Sequence, residues 1–394
     1  MLLFAPCDND ARVLKEARSL AEAQHRVTLY ALASDTGSGA IGDRYHGVEI
    51  RRLLRPALSL LKGGRLTRTV RIPLRVALLF LFNLEVIALC LFRRSDVYHC
   101  HDAYPLLAAW VLKRLHGSRL LYDAHELFAS RNVESRFGAI LNRLATVYER
   151  MFIRAADRVV TVSQGVAEEL KRRYRLGDVA VILNCPYRVG KRGMQRHERQ
   201  PRTPEMTQHR RKLIYVGRIT FNRGLKELVY ALSYLPDQYF LVMIGPQHAG
   251  YTAELHETVR GLRLESRVYI LPPVRFEEVT EYLHGAYLSF VPIEDVCLSY
   301  RYCLPNKLFE SLHAGVPVLT SNLPEMRAVV ERYGCGAVIE RLDGEAIAEL
   351  VLEIAGDEER YGKMVDGCEA AASAFCWENE EKKLLELYAR WEQI

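Results

Sequence analysis

Two arginines stand at a junction between a strand-like run and a helix-like run. The apolar run 212–216 ends at Gly217, which lets the backbone turn, and Arg218 and Arg223 lie where the strand gives way to a helical pattern. Guanidinium groups bind phosphate oxygens through two parallel hydrogen bonds, and a helix N-terminus attracts negative charge. The junction is a candidate for binding a diphosphate and stabilising its departure, although two arginines that only solvate a loop would give the same pattern.

A second segment of the same half, residues 302–318, suits the same ligand. Pro305 fits the first turn of a helix, Lys307 adds charge where the helix dipole is already positive, and Gly315 closes the helix before the next strand. Glu310 lies one turn inside, where a carboxylate can accept hydrogen bonds from ribose hydroxyls. The two segments predict a site for a nucleotide diphosphate sugar, whose leaving diphosphate needs either a divalent metal or fixed cations and N–H groups.

The tripeptide Asp8-Asn9-Asp10 has the D-x-D form of a metal-binding signature. It follows the first strand, whereas a metal-binding D-x-D is expected after several nucleotide-binding strands. We therefore interpret this tripeptide as a helix cap. The loop that contains it would face a phosphate or the acceptor, which is the molecule that receives the sugar.

The run His99-Cys100-His101-Asp102 also contains residue types that bind metals. Alternate residues of a strand point to one face, but the sequence offers no evident third ligand, so we expect no metal here. The acceptor-side candidates are Asp8, Asn9, Asp10 and His101.

These candidates must be positioned by the elements around them. Strand-length apolar runs alternate with helical patterns along the chain, which is typical of parallel α/β domains. Such sheets bind ligands at the carboxyl ends of their strands. We expect two facing, Rossmann-like, doubly wound domains with a central cleft. The predicted strands are residues 2–5, 26–32, 97–100, 120–122, 158–162, 179–183, 212–216, 240–244, 267–271, 288–292 and 316–320.

At 394 residues the chain exceeds what one hydrophobic core usually supports. Residues 188–211 are rich in Gly, Pro and Arg and predict a basic linker. On either side we expect an N-terminal acceptor-binding domain, residues 1–187, and a C-terminal nucleotide-sugar-binding domain, residues 212–374. Residues 375–394 predict a last helix that crosses back to the first domain.

The two halves of the chain differ in charge. Residues 1–210 contain 35 Lys and Arg against 20 Asp and Glu, a net charge of +15, whereas residues 211–394 carry −9. A basic half should face something anionic. The nine cysteines form no C-x-x-C pair and no secretory signal precedes the first strand-like run, so we expect a cytoplasmic protein with reduced thiols.

A basic cluster runs into an apolar stretch, residues 76–92. The stretch is shorter than the roughly 20 apolar residues of a membrane-spanning helix, and it contains Asn83 and Glu85. It is either a buried helix packed on a sheet or a surface element that binds an anionic membrane, at the inner face, through its arginines. The cluster comprises Arg51, Arg52, Arg55, Lys62, Arg65, Arg68, Arg71 and Arg75.

The ordered motifs of the chain resemble those of the retaining glycosyltransferases of family four, which have the two-lobed GT-B fold. Each motif is short, and their order and spacing over nearly the whole chain carry the resemblance. Besides the two segments described above, the motifs are residues 9–17 with His25-Arg26-Val27, residues 96–102, residues 122–126 and residues 156–163.

The resemblance implies roles for individual residues. Arg218 matches the family's phosphate-binding arginine, and Arg223 stands where the family usually has lysine. Glu310 matches the second glutamate of the family's E-x7-E motif, a ribose ligand. Val274 stands where the family's backbone contacts the base, and His125 matches a histidine near the transferred sugar.

The first glutamate of that motif falls at Tyr302, so Tyr302 or Asn306 would contact the donor sugar instead. We expect His125, Arg218 and Arg223 to be catalytic. The expected donor-binding residues are Gly217, Val274, Tyr302, Pro305, Asn306, Lys307, Leu308 and Glu310.

Residues and resemblance together predict a glycosyltransferase of the hexosyltransferase type. It would move a sugar from a nucleotide diphosphate sugar to a glycan or lipid-linked acceptor in cell-surface polysaccharide synthesis of the bacterial type. We expect retention of configuration, no metal or other cofactor, and no nucleic acid. An anionic membrane surface is a further partner if the apolar stretch is a surface element. The alternatives are a nucleotide-sugar epimerase of the same fold and a nucleotide-sugar-binding partner protein that has lost its activity.

Overall fold

The computed structural model of the chain describes residues 1–8, 10–33, 42–54, 68–130, 136–188, 211–275 and 278–392. Residues 189–210 of the predicted linker lie outside these ranges. Contacts divide the chain into an N-terminal unit, Met1–Ile182 with Glu381–Ile394, and a C-terminal unit, Leu183–Glu380. Each unit contains a sheet of mainly parallel strands connected by helices, which confirms the predicted α/β class.

The sheet of the N-terminal unit has the strand order β3-β4-β2-β1-β5-β6-β7-β8. Every pair is parallel except β3 with β4. The chain moves outward in opposite directions from β1 and β5, so the switch point of the sheet lies between these two strands. The strands are β1 Leu2–Leu3, β2 Thr28–Leu32, β3 Arg44–Tyr45, β4 Val48–Leu53, β5 Val97–His101, β6 Arg119–Ala124, β7 Arg158–Thr161 and β8 Ala180–Val181.

The first helix of this unit begins at the predicted cap. The side chain of Asp10 accepts a hydrogen bond from the N–H of Val13 at 3.1 Å, which satisfies one of the N–H groups that a helix start leaves without a partner. The helices are α1 Ala11–Glu22, α2 Arg68–Cys90, α3 Leu106–His116, α4 Arg136–Ile153 and α5 Gln164–Tyr174, with a 3-10 turn at Phe128–Ser130.

Two residues of the predicted basic cluster, Arg51 and Arg52, lie in β4, a strand that was not predicted from the sequence. In β4 the buried Val48 and Ile50 alternate with the less buried Glu49 and Arg51, which is the pattern of a strand with one face on the core. The adjacent arginines Arg51 and Arg52 interrupt the alternation of apolar and polar residues and hid that pattern. Arg55, Lys62 and Arg65 of the cluster lie outside the described residues.

The apolar stretch of the sequence forms the second half of α2 and has two faces. Leu78, Phe82, Val86 and Cys90 recur every fourth residue and are buried, so one face packs on the unit. Large apolar side chains on the other face are exposed. Within the ranges described above, no helix is both long enough and apolar enough to span a membrane.

The sheet of the C-terminal unit has the order β11-β10-β9-β12-β13-β14, and all its pairs are parallel. Its switch point lies between β9 and β12. The strands are β9 Arg211–Val216, β10 Tyr239–Ile244, β11 Val268–Leu271, β12 Leu288–Val291, β13 Val318–Ser321 and β14 Gly336–Ile339. The last of them was not predicted.

Helices cover both faces of this second sheet. Leu213 and Tyr215 of β9 belong to one apolar core, and Ile214 and Val216 belong to another on the opposite face. The helices are α6 Leu225–Tyr234, α7 Ala249–Gly261, α8 Val279–Leu283, α9 Leu298–Arg301, α10 Asn306–His313, α11 Pro324–Tyr333, α12 Gly344–Ala355, α13 Glu358–Ala374 and α14 Trp377–Glu392. The end of α14, from Glu381 onward, belongs to the N-terminal unit.

Candidate active site

The loop after β9 turns at Gly217. Its N–H donates to the carbonyl of Ile244 at 2.8 Å, and its φ of +142° lies in a region that side chains rarely adopt. A Cβ added at Gly217 would lie 2.7 Å from Nζ of Lys307, so glycine lets the backbone approach that ammonium. The loop lies at the carboxyl end of β9, beside the switch point, where sheets of this kind bind ligands.

Two tyrosines hold positive charges at this corner of the C-terminal unit. Nζ of Lys307 lies 3.8 Å from the centroid of the Tyr215 ring, and the guanidinium carbon of Arg223 lies 4.4 Å from the centroid of the Tyr300 ring. Arg223 also donates from Nη2 to the Tyr300 hydroxyl at 3.1 Å. Each cation–π contact contributes about 0.5–2 kcal/mol, so the two cations are held in defined positions.

The pKa of Lys307 shows how this corner responds to charge. Burial lowers the pKa of Lys307 well below its ordinary 10.5, and the charge of Arg223 lowers it further, while Cys303 and Glu310 oppose the shift. An anionic ligand beside Lys307 would favour the charged ammonium and raise this pKa. Binding of such a ligand would therefore be coupled to protonation of Lys307.

Helix α10 brings further residues that were predicted to bind the sugar nucleotide to the same corner. Pro305 occupies its N-cap, and Asn306 opens the helix and accepts a hydrogen bond at Oδ1 from Nδ2 of Asn184 at 3.0 Å. Leu308 and Glu310 follow and are buried. The first turn of α10 adds backbone N–H groups and the positive end of the helix dipole to the charge of Lys307.

The remaining residues that were predicted to bind the sugar nucleotide differ in how exposed they are. Arg218 is exposed, and its carbonyl accepts a hydrogen bond from the Tyr215 hydroxyl at 2.8 Å, which fixes the loop at this point. Tyr302 is half-buried at the C-cap of α9, and Val274 is half-buried against the core on one side of the sheet. Their roles toward a donor remain predictions.

The sequence analysis missed Tyr215 and Tyr300. Tyr215 stands two residues before Gly217 in a predicted strand, and its place on that strand was the available signal. Tyr300 is 77 residues from Arg223 along the chain, and no local pattern connects the two. Their contact follows from the adjacency of β9 and β12 in the sheet.

A second group of reactive side chains is buried in the N-terminal unit around Asp123. Arg12 donates to Asp123 from Nε and from Nη2, each at 2.7 Å. Oδ2 of Asp123 also lies 3.1 Å from Nε2 of His125 and 3.3 Å from Nδ1 of His101. The predicted catalytic His125 and the predicted acceptor-side His101 therefore meet at one carboxylate.

The same group corrects our interpretation of His99 and His101. Glu16 and Asp123 lie beside them, and each of the four residues offers a ligand atom within 4.8 Å of the others, so the expectation of no third ligand was wrong. Nε of Arg12 lies 3.1 Å from Glu16 and 2.7 Å from Asp123. The residue types fit a cation, but the guanidinium of Arg12 already places a positive charge between the carboxylate of Asp123 and the carboxyl group of Glu16. We assign no metal to this group.

The loop after β1 has partners within the N-terminal unit. Arg52 of β4 donates to Asp8 from Nη2 at 2.8 Å and from Nη1 at 3.0 Å, and both side chains are nearly buried. Asp10 caps α1, and Asn9 lies outside the described residues. Arg52 is therefore neutralised within the unit, and acceptor roles for Asp8 and Asp10 remain predictions.

Two family models match consecutive parts of the chain. The model described as Glycosyltransferase Family 4 matches residues 11–185, and the model described as Glycosyl transferases group 1 matches residues 197–369. The chain belongs to the GT-B glycosyltransferases. It is an enzyme of the hexosyltransferase type, as the sequence analysis predicted.

Individual relatives agree with this family. The chain is 24% identical over 311 residues to a D-inositol 3-phosphate glycosyltransferase from Xylanimonas cellulosilytica, covering 75% of this glycosyltransferase and 72% of the relative. Its fold is similar to that of sucrose-phosphate synthase from Thermosynechococcus elongatus, with a TM-score of 0.75, 19% identity, and coverage of 99% and 98%. It is also similar to HepE from Anabaena in complex with UDP-glucose, with a TM-score of 0.72, 15% identity, and 99% coverage of each chain.

Proposed function

We propose that this glycosyltransferase transfers a hexosyl group from a nucleotide diphosphate sugar, with retention, to a glycan or lipid-linked acceptor of a cell-surface polysaccharide. The observation that carries the proposal is the corner at Gly217, where Arg223, the start of α10 and the side chain of Lys307 surround a backbone that lacks a side chain. An anionic ligand there would favour the charged form of Lys307. Similarity to a structure that contains UDP-glucose supports a nucleotide sugar as the donor.

Each part of the donor has a proposed contact. The diphosphate binds at Arg218, Arg223 and Lys307, and the first turn of α10 contributes N–H groups. The ribose hydroxyls donate to Glu310, which is buried one turn into α10. The base lies against the backbone at Val274, and Asn306 or Tyr302 takes the sugar contact that the family assigns to its first glutamate.

The proposed reaction is a displacement without a metal. The bond between the anomeric carbon and the diphosphate oxygen breaks, and its electron pair remains on the diphosphate, where Arg218 and Arg223 stabilise the charge. The acceptor hydroxyl attacks the same face of the sugar, and its proton passes to the departing phosphate oxygen. His125 contacts the transferred sugar and holds it for this attack.

The N-terminal unit exposes a surface, which we call the apolar-basic face, that suits an anionic membrane. Val76, Phe80 and Leu84 of α2 recur every fourth residue and are exposed. The exposed Leu144, Val147 and Met151 follow a helical spacing on α4, and both helices pack against α3. Exposed arginines accompany them: Arg93, Arg94, Arg114, Arg143, Arg150 and Arg154.

The combination of exposed apolar side chains and exposed arginines favours an anionic membrane as the partner of this face. An apolar patch among cations fits a lipid surface that offers acyl chains and anionic headgroups together. We propose that this face holds the enzyme at the inner leaflet, where a lipid-linked acceptor would be available. A cytoplasmic location follows from the same proposal.

Nucleoside diphosphate binding tests the proposed donor site. A ligand at a hundred times its dissociation constant adds about 2.7 kcal/mol of stability. For a unit of this size, one of UDP, GDP, ADP or TDP should therefore raise the Tm by roughly 5–10 °C in a thermal-shift assay. The variant Lys307→Met, which keeps the length and the apolar stem of the side chain, should lose most of this shift. The proposal fails if no nucleoside diphosphate shifts the wild-type protein or if Lys307→Met keeps the full shift.

A further inference from the structure

The carboxylate of Asp123 is the centre of the buried group in the N-terminal unit. Asp123 is fully buried, and both of its oxygens accept hydrogen bonds from the fork of Arg12. The bidentate arrangement fixes the plane of the carboxylate, so Oδ2 faces Nε2 of His125 in a defined direction. The side chain of His125 keeps 19% of its surface exposed, whereas Asp123 has none.

We propose that Asp123, braced by Arg12, is a positioning residue that fixes the ring of His125 and keeps a proton on its Nε2. This inference rests on the proposed contact between His125 and the transferred sugar. With Nε2 bonded to Asp123, the other ring nitrogen, Nδ1, is the atom that His125 presents to a ligand. Because an imidazolium carries protons on both nitrogens, Nδ1 would donate to a sugar hydroxyl or a phosphate oxygen.

The charges around His125 support this assignment. Burial alone would lower the pKa of His125, but Asp123 and then Asp102 overcome that effect and raise it to about 10, against the opposing charge of Arg12. Burial would raise the pKa of Asp123, but Arg12 and His125 hold it well below its ordinary value. His125 and Asp123 are therefore both charged at neutral pH.

The other titratable groups of the cluster are neutral by the same reasoning. Burial and the neighbouring Asp123 raise the pKa of Glu16 to about 8. Burial lowers the pKa of His99, whose Nδ1 lies 3.0 Å from the Tyr388 hydroxyl, and also that of His101. Asp10 acts on Arg12, Glu16 and His101, and the N-terminal amine, whose own pKa burial lowers to about 6, acts on His99. The charged carboxylate in contact with His125 is thus that of Asp123, and Glu16 does not supply it.

This difference between two buried carboxyl groups provides a matched pair of variants. Asp123→Asn and Glu16→Gln each replace a carboxyl group beside Arg12 with an amide of similar size. Asp123→Asn removes a charge that contacts His125. Glu16→Gln replaces a group that is mostly protonated at neutral pH and is not a hydrogen-bond partner of His125.

Nitrogen NMR of the histidine side chains in the full chain measures the positioning directly. In the wild type, His125 should be an imidazolium at pH 7, and in Glu16→Gln it should remain so. In Asp123→Asn the His125 ring should be mostly neutral at pH 7, and donor turnover should fall about tenfold or more, mainly in kcat, with activity lost as the pH rises through the lowered pKa of His125. A neutral His125 in the wild type at pH 7 overturns the inference even if Asp123→Asn does not fold.

The outcomes separate the inference from the proposed function. If Asp123→Asn folds and its His125 remains charged at pH 7, or if Glu16→Gln loses as much turnover as Asp123→Asn, Asp123 is not the positioning residue. If His125→Ala retains full turnover while the NMR results are as expected, the role of His125 toward the sugar is wrong and the inference about its charge stands.

Discussion

Arg223 and Lys307 are the basic residues of the corner at Gly217, and each lies against an aromatic ring. The family resemblance places lysine where this chain has Arg223, and the structure gives a physical reason for the exchange. A guanidinium is planar and can stack on Tyr300 while its fork binds a phosphate, whereas an ammonium makes a point contact. Arg223 and Tyr300 are therefore best treated as one pair.

This pairing predicts that lysine is a poor substitute at position 223. Arg223→Lys keeps the charge but loses the stacking and the bond to the Tyr300 hydroxyl, so we expect donor affinity to fall roughly tenfold. Tyr300→Phe keeps the ring and loses only the hydroxyl, so we expect a fall of about two- to fivefold. Isothermal titration with the nucleoside diphosphate measures both. The exposed Arg332→Lys on α11 serves as the control, and equal affinity of Arg223→Lys and the wild type would contradict the pairing.

The places of individual candidate residues in the fold were predictable where they stood next to a structural signal. Gly217, Pro305 and Lys307 lie at the strand end and the helix start that the sequence indicated, and their roles toward a donor remain predictions. Tyr300 and Glu16 were not found, because their partners Arg223 and His99 come from distant parts of the chain. Burial decides the charge of Glu16, and no local pattern contains that information.

Elements were predictable where apolar residues are continuous. β9 and β10 are buried on both faces, so their sequences are almost unbroken apolar runs. β4 was missed because only its alternate residues are buried, and Arg51 and Arg52 interrupt the run. β14 is short and begins at Gly336, whose position has room for no side chain because an added Cβ would meet the backbone of Val318.

The exposed sides of α2 and α4 predict which substitutions weaken binding of the apolar-basic face to lipid vesicles. Phe80→Ser and Val147→Ser remove exposed apolar surface and leave the buried side of each helix intact. Each should weaken binding to vesicles that contain anionic lipid about tenfold, since burying a large apolar side chain contributes about 1.5–3 kcal/mol. Flotation of the full chain with liposomes measures the effect, and Leu352→Ser, an exposed apolar residue of the C-terminal unit, is the control.

The membrane proposal also requires charge. Flotation should decrease strongly when phosphatidylglycerol is omitted from the vesicles or when salt is raised, because the arginines act through screened electrostatic attraction. Binding that does not depend on anionic lipid would contradict this role of the apolar-basic face.

At the scale of the whole molecule, charge and chemistry are divided between the two units. The basic first half contains the apolar-basic face and the group around Asp123, and the acidic second half contains the corner at Gly217, where basic residues are concentrated locally. The two-domain α/β architecture was predictable from the alternation of strands and helices. The ion pairs of Arg52 with Asp8 and of Arg12 with Asp123 were not predictable, because each joins residues that are far apart in the sequence.

In the proposed function, the C-terminal unit binds a nucleotide diphosphate sugar and stabilises the departure of its diphosphate at Arg218. The most direct measurement is the release of nucleoside diphosphate from the sugar nucleotide whose base gives the largest thermal shift. Arg218→Ala should lower this turnover roughly a hundredfold, as expected on losing one preorganised stabiliser, while Arg332→Ala should leave it unchanged. Near-normal turnover in Arg218→Ala would contradict the account.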